Sequence, residues 1–357
     1  MEKNRHFYFL TWEELSYSRT GVLYKGLLKK EESCQILKLS QQKYFTNIEN
    51  LFRLRKTLQK NSIFIVGSPC SILAIICRIA LPNSKIIYDS GWPLTDGLIS
   101  RRFSAPIKMF QYLKLYLVDF LAYRCSNMIA FESEHQRKIA KKKFLIRDSK
   151  VFVSYTGFNE ADFGIFNDNN LSRTRSNRRV LFRGKYNLES GLEFLAETSY
   201  HLDSNIKLTI ICPNLPSKIN FSEKVEIIKT RLSNRELAEH YLNSSISLGQ
   251  LGVSPRTTRT IPHKFYESVF FEVPYLTRRA MGILELLPNE EHVLYFEHNS
   301  PIEFADFIEQ QLMDPIHLMK QAKLAKSQYL SNFSQSSIVD NFLSHLSLSP
   351  KLKINDA

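Results

Sequence analysis

Short runs of β-branched and aromatic residues alternate with longer, helix-like stretches along most of this chain, and that alternation restricts the folds open to it. Runs at 6–12, 35–39, 63–66, 85–89, 128–131 and 151–155 read as strands, each bounded by polar or turn residues. Helical stretches at 22–30, 48–60, 70–81, 106–123 and 134–143 fill most of the gaps. Strands separated by helices in this way call for a parallel sheet with crossover connections. A polar run at 167–179 (NDNNLSRTRSNRR) then interrupts the pattern as a linker. A second set follows, with strands at 180–183, 207–212, 225–228, 245–248, 274–277 and 293–296. Its helices fall at 188–202, 234–242, 262–271 and 301–313. A chain of 357 residues is also too long for one ordinary core. The expected fold class is α/β, with two Rossmann-like domains facing across a cleft, at 1–166 and 180–334 around the linker.

Open α/β sheets bind ligands at the carboxyl ends of their strands, so three segments are expected at such ends. Leu181-Phe182-Arg183-Gly184-Lys185 closes the first strand of the second domain, and Gly184 lets backbone approach a phosphate closely. The loop from Arg259 through Pro262 to Glu267 opens a helix after the strand at 245–248. Proline suits the first helical position, where its missing N–H would have no partner anyway. With the free N–H groups of that first turn, Arg259, His263 and Lys264 are expected to face outward as an anion site. Glu267, about one turn further in, is placed to grip two vicinal hydroxyls. Phosphate at one end and a diol at the other describe a nucleoside diphosphate. An ordinary capped helix with an exposed charge cluster would carry the same residues. The third segment, Tyr17-Ser18-Arg19-Thr20-Gly21, follows the first strand and offers Gly21 as the turn of an acceptor-side loop.

Charge is unevenly placed. Residues 1–165 hold 26 Lys and Arg against 14 Asp and Glu, whereas the remainder holds 22 against 21, so nearly all of the net +13 lies in the first half. The densest stretch is Arg137, Lys138, Lys141, Lys142 and Lys143, read as free of interspersed acids. Nucleic acid, an anionic membrane or an anionic substrate would each account for it. The aromatic-rich stretch 106–123 (PIKMFQYLKLYLVDFLAY) has the composition of an interfacial helix lying on lipid, and also of an interdomain or core helix. The apolar stretch 63–81 is broken by Gly67-Ser68-Pro69 and by Arg78, which suits a buried strand, turn and helix better than a membrane span.

Other classes lose ground on composition. Five scattered cysteines, with no metal-like spacing, suit a reducing compartment without disulfides. Nine histidines give no metal-binding pair at helical spacing, so no protein-bound metal and no cofactor is expected. The N-terminal residues show no apolar signal core, so a cytoplasmic location is expected.

Taken with their order, these segments make the chain resemble a glycosyltransferase of family 4, which has the two-domain GT-B fold. Phe182-Arg183-Gly184-Lys185-Tyr186 through Gly191 looks like the family's glycine–basic segment and the glycine-led helix after it. His263-Lys264-Phe265-Tyr266-Glu267 with Pro274 looks like its donor helix, and Gly282-Ile283-Leu284-Glu285 like the following loop. Asp89, Glu132 to Glu134 and Tyr155-Thr156-Gly157 fall at the matching ends in the first domain. Arg259 departs from the pattern, standing where the family often has a glutamate, as does Ser190 in place of a second active-site cation. The resemblance implies that the final helix, within 335–357, packs back on the first domain.

The implied reaction is transfer of a sugar from a nucleotide diphosphate with retention of configuration. Charge developing on the departing diphosphate must be met by fixed cations and helix N–H groups. Lys185 and Arg183 are the catalytic candidates, with Gly184, Arg259, His263, Lys264 and Glu267 holding the nucleotide sugar. The partners implied are a nucleotide-sugar donor, a lipid-linked or glycan acceptor and an anionic membrane surface met by the five basic residues at 137–143. That places the protein in the cytoplasm, peripheral on the inner face of the membrane. A nucleotide-sugar epimerase on the same fold and a non-enzymatic nucleic-acid-binding protein are the rivals. The first lacks an obvious carboxylate–histidine set; the second leaves the neutral second domain unexplained.

Overall fold

The computed structural model describes residues 5–348 apart from 13–14, 16–18, 60, 101–108, 164–177 and 298. The chain divides into two compact units, one built mainly from the residues up to Gly157 plus Gln335 onward, the other from Phe158–Ser334. The first unit's strands are β1 (His6–Thr11), β2 (Ser33–Lys38), β3 (Ser62–Gly67), β4 (Lys85–Gly91), β5 (Met128–Phe131) and β6 (Val151–Val153). All pair in parallel, in the order β2-β1-β3-β4-β5-β6. Helices α1 (Arg19–Lys29), α2 (Tyr44–Leu54), α3 (Ser71–Ala80), α4 (Leu94–Ser100), α5 (Met109–Cys125) and α6 (Glu134–Phe144) connect them.

The second unit repeats the plan with β7 (Arg179–Arg183), β8 (Lys207–Ile211), β9 (Glu226–Ile228), β10 (Ile246–Leu248), β11 (Tyr275–Arg278) and β12 (Leu294–Phe296). The order is β12-β11-β10-β7-β8-β9, again parallel throughout. Its helices are α7 (Leu192–Thr198), α8 (Asn234–Leu242), α9 (His263–Phe270), α10 (Met281–Leu286), α11 (Pro301–Leu312) and α12 (Pro315–Asn332). The last helix, α13 (Gln335–Leu348), belongs to the first unit. Both units are doubly wound α/β sheets, as the alternation of strand and helix signals requires.

Side-chain alternation explains how each sheet is covered. In the first, Tyr8, Leu10, Phe64, Val66, Ile86 and Tyr88 point to a core shared with Leu51, Leu73, Cys77, Ala122 and Phe144 of α2, α3, α5 and α6. Their neighbours Phe7, Phe9, Ile63, Ile65 and Ile87 point the other way, to Leu23 and Leu27 of α1 and to Val339, Phe342 and Leu346 of α13. In the second unit, Val180, Phe182, Leu208, Ile210, Ile246 and Leu248 meet Leu192, Leu195, Phe304, Ile308 and Leu312 of α7 and α11.

Several boundaries differ from the sequence reading. Helix α7 is shorter than 188–202, because Asn187 and Ser190 close a turn on each other and Gly191 takes a left-handed φ of 63° at the helix N-cap. Gly282–Glu285 lies within helix α10 rather than a loop. Helix α12 has no counterpart in the sequence reading, although Asp314 caps it through His317 N and Pro315 sits at its first turn. Residues 158–163 pack with the second unit, where Phe158 meets Phe270 at 5.0 Å and Phe163 meets Phe271 at 5.8 Å between ring centres. The linker at 167–179 falls outside the described residues up to 177, and the chain re-enters at the edge of β7.

Glycine in a helix interior normally costs about 1 kcal/mol relative to alanine. At Gly26 that sign reverses, because a Cβ would stand 2.5 Å from Val339 Cγ2 and 3.2 Å from Gln335 Cγ, where α13 crosses α1. Gly26→Ala is expected to lower the melting temperature, and in a Val339→Ala background the same change is expected to raise it. Thermal unfolding of the four proteins in this cycle checks the reversal.

Candidate functional site

Strand order in the second sheet reverses between β7 and β10, which are neighbours, and a crevice opens at the carboxyl ends of strands where that happens. The residues leaving those ends are Gly184 and Lys185 after β7, and Gly249 to Gly252 after β10. The two connections are pressed together backbone to backbone. Gly252 N donates to Glu189 O at 3.1 Å and Leu251 N to Ser190 O at 3.4 Å. A Cβ at Gly252 would drive into the Leu188 carbonyl, so this approach needs glycine. The chain then turns through Ser254 and Thr257, whose side chains bond at 2.9 Å, and enters α9 at His263. Pro262 is the residue before the helix, at ψ 150°, one position earlier than its composition indicates.

Helix α9 carries a buried charge cluster back to β7. Glu267 is fully buried; its Oε2 accepts from the Tyr241 hydroxyl of α8 at 2.7 Å, and its Oε1 lies 3.4 Å from the Arg183 guanidinium. Desolvation pushes the Glu267 carboxyl up to about 8. Lys264 is also buried. Its Nζ donates to the Gly249 carbonyl at 2.5 Å and lies 3.9 Å from the centre of the Phe182 ring. Burial, with the charge of Arg183 adding to it, pushes the Lys264 ammonium well below its ordinary pKa. Burial likewise lowers the pKa of Arg183.

The sequence expectation of an outward-facing cation set is therefore revised. Arg259 is buried and donates to the Pro255 carbonyl at 3.0 Å, Lys264 points inward, and His263 is half-buried. Arg256, another cation of this loop, is held by Glu189 at 2.9 Å. Lys185 stands exposed at the strand end, beside the half-buried Gly184, where a Cβ would meet Lys264 Nζ at 3.8 Å. Glu267 does not present both oxygens outward, since a carboxylate inside a helix packed on a sheet needs its own donor and Tyr241 supplies one. Tyr241 was not foreseen: it lies 26 residues from Glu267, on another helix, and no local spacing links them.

The first sheet has its own switch point between β1 and β3. The start of α1 lies there, with Arg19 Nε donating to Asp89 Oδ1 at 2.5 Å and Thr20 Oγ1 to Asp89 Oδ2 at 3.3 Å. Arg19 also reaches Thr156 Oγ1 at 3.5 Å and is buried. This buried network joins three separate strand ends that sequence reasoning noted only singly. Gly21 is not in a loop: it lies inside α1, and a Cβ there would collide with the Leu15 carbonyl. Tyr17 and Ser18 lie outside the described residues.

The basic run on α6 is not free of acids once folded. Glu134 holds Arg137 through two bonds of 2.6 and 2.7 Å and lies 3.8 Å from Lys138. Asp148 holds Lys141 at 2.8 Å. Lys143 turns inward to Thr95 Oγ1 at 2.7 Å and Asp96 at 3.6 Å. Lys142 remains exposed, and among the described residues no acid stands within ion-pair distance of it. Helix α5, by contrast, leaves Met109, Phe110, Leu113, Leu117 and Leu121 exposed, while Tyr116, Phe120 and Tyr123 pack inward. Residues 106–108, part of the aromatic stretch, lie outside the described residues. Among the described residues no helix is long and apolar enough to cross a membrane, and no group of three or more His, Cys, Asp or Glu could hold a metal ion.

No protein-family model matches the chain, and no curated protein sequence matches it. Solved structures do. Anabaena Alr3699/HepE in complex with UDP-glucose aligns with a TM-score of 0.72 at 11% identity, over 96% of this chain and 100% of that one. An α,α-trehalose-phosphate synthase (UDP-forming) from Burkholderia vietnamiensis aligns at 0.68 and 11%, over 98% and 100%. A trehalose-6-phosphate synthase studied for enzymatic glycosyltransfer with retention aligns at 0.70 and 12%, over 96% and 99%. The fold of this chain is GT-B.

Protonation of Glu267 gives the cluster a pH signature. With a folded pKa of about 8 against 4.5 in the open chain, the group favours the folded state most below pH 4.5. It loses that contribution as the pH climbs towards 8, by at most about 1.4 kcal/mol per unit. Glu267→Gln, which keeps an acceptor for Tyr241 but cannot ionise, is expected to flatten stability against pH across this window. Urea unfolding at intervals of pH measures the two slopes; equal slopes would show that the carboxyl is already ionised in the folded protein.

Proposed function

We propose that this chain is a retaining glycosyltransferase of the family 4 kind. It would move a sugar from a nucleotide diphosphate sugar to a lipid-linked or glycan acceptor, in the synthesis of a surface polysaccharide or glycolipid. The observation that carries the reading is the strand end Arg183-Gly184-Lys185, set against Lys264 and Glu267 at the switch point of the second sheet. It occurs in a fold shared with a protein solved in complex with UDP-glucose.

The chemistry assigns roles to these residues. Lys185, exposed at the strand end, meets the diphosphate as negative charge builds on it, and Gly184 puts no side chain in the way of its approach. Arg183, half-buried beside the strand end, raises the local positive potential, while Lys264, pushed towards its neutral amine, shapes the floor of the site and can take up a proton as an anion arrives. Glu267 stands beside Arg183 and is assigned to the ribose, whose hydroxyls can reach its buried Oε1 only once the side chains covering it move. His263 and Arg259 complete the nucleotide side. Fixed cations supply what a metal would otherwise supply, so the reaction proceeds without one. The acceptor falls to the first unit, whose positive surplus and exposed α5 face suit a lipid-linked substrate at an anionic membrane on the cytoplasmic side.

Calorimetry with uridine, guanosine and thymidine diphosphates is expected to give saturable binding to one of them, and absence of binding to all three would overturn the reading. In turnover of the matching nucleotide sugar, Lys185→Ala is expected to lower kcat on the order of a hundredfold with little change in donor KM, because a group aimed at leaving-group charge acts in the transition state. Activity should persist in a chelator, and the product anomer, read by NMR, should match the donor's.

A further inference from the structure

Where α5 ends, the first unit holds a cavity of about 310 Å³ lined by Tyr123, Arg124, Ile146, Arg147 and Lys150. Three of the five are cations and none is an acid. Asp148, the nearest acid in sequence, is turned away to Lys141 and Arg137 of α6. Part of this arrangement serves the fold: Lys150 Nζ donates to the Ser126 carbonyl at 2.9 Å and so caps α5. Arg124 lies 4.8 Å over the Phe120 ring and reaches the Leu145 carbonyl at 3.4 Å. Arg147 is exposed, and among the described residues no acid stands within ion-pair distance of it. Capping does not account for it.

Leu145, beside this cavity, is the second observation. It ends α6 with φ 52° and ψ 49°, a left-handed position that glycine or asparagine takes without strain, and its side chain is 74% exposed. A leucine here bears backbone strain and wets its apolar surface at once. The third observation is the face of α5 that leads to the cavity. Phe110, Leu113, Leu117 and Leu121 are exposed at spacings of three and four residues, and Arg124 is the next position in that series. An apolar stripe ending in cations has the order of a helix lying in the boundary between acyl chains and headgroups.

We infer that this end of α5 is a phospholipid headgroup site, with Arg124, Arg147 and Lys150 around the phosphate and Leu121 and Leu145 dipping into the acyl boundary. The inference rests on the membrane part of the proposed function and gives it a place, at α5 and the α6–β6 turn rather than along the internally paired cations of α6. A free phosphate or a nucleic acid would make no use of the apolar stripe or of Leu145.

The test is co-sedimentation of the full chain with vesicles of phosphatidylcholine alone or with added phosphatidylglycerol. Wild type is expected to bind the anionic vesicles, more weakly as salt rises. Arg124→Gln with Arg147→Gln, which spares the capping Lys150, is expected to weaken that binding about tenfold or more while nucleotide binding by calorimetry is unchanged. Leu145→Gly is expected to weaken binding too, yet raise the melting temperature by relieving strain, a pairing that loss of fold cannot produce. If the double variant and Leu145→Gly bind anionic vesicles as wild type does, the headgroup site is overturned while membrane association stands. If wild type ignores anionic vesicles, the membrane reading falls and the site with it. Thermal protection by inorganic phosphate without vesicle binding would make the cavity a soluble-anion site and overturn the inference equally.

Discussion

A parallel sheet must be covered on both faces, and most of this molecule follows from meeting that demand twice. Each crossover helix takes the chain from one strand to the next and buries one row of alternate side chains. On the back of the first sheet, α1 alone is too little, and α13 completes the cover with Val339, Phe342 and Leu346. Those residues follow the whole second unit in sequence, so the core of the first unit is not finished until the last described helix is in place. Gly26 and Gly157 mark how closely α13 sits, since a Cβ at either would press on Val339 or Ile338.

The same winding gathers chemistry at the strand ends. In the second unit, residues 183–185, 249–252 and 263–267 are distant in sequence but leave adjoining strands at the reversal of strand order. Burial then shapes their electrostatics. Glu267 is pushed towards its neutral acid and Lys264 towards its neutral amine, each because low dielectric penalises charge. The charge of Arg183 adds to the second shift. Lys264 and Arg259 rest on the carbonyls of Gly249 and Pro255, neutral acceptors that bond more weakly than an anion would.

Strand positions and fold class were legible because alternation in a doubly covered sheet leaves continuous apolar runs such as Ile63 to Val66, which few other structures tolerate. Helix α12 was not, because its apolar positions are thinly spread and only the Asp314-Pro315 start announces it. At the candidate site the cations and the carboxylate could be named from sequence, but their directions could not. Arg259 and Lys264 read as exposed because charged residues in a loop and helix start usually are, whereas here backbone carbonyls take them in. The pairing of Glu267 with Tyr241 depends on α8 and α9 meeting, which no spacing within either helix encodes.

Net charge shows the same limit from the other side. A surplus of cations in the first half of the chain is a sound statement about its field, since long-range potential depends on totals. It is a poor guide to contact, which depends on what each charge faces at a few ångströms. Along α6 the run that looked most basic is answered by Glu134, Asp148 and Asp96, so much of its charge is spent within the fold. Arg124 and Arg147 sit in shorter, less conspicuous stretches of sequence, yet they border a cavity with no acid in its lining. What distinguishes them is their place at the end of an exposed apolar stripe, and a leucine held at a backbone angle that suits glycine better. Neither feature adds to the charge count, and both are costs to a free-standing surface that contact with lipid would offset.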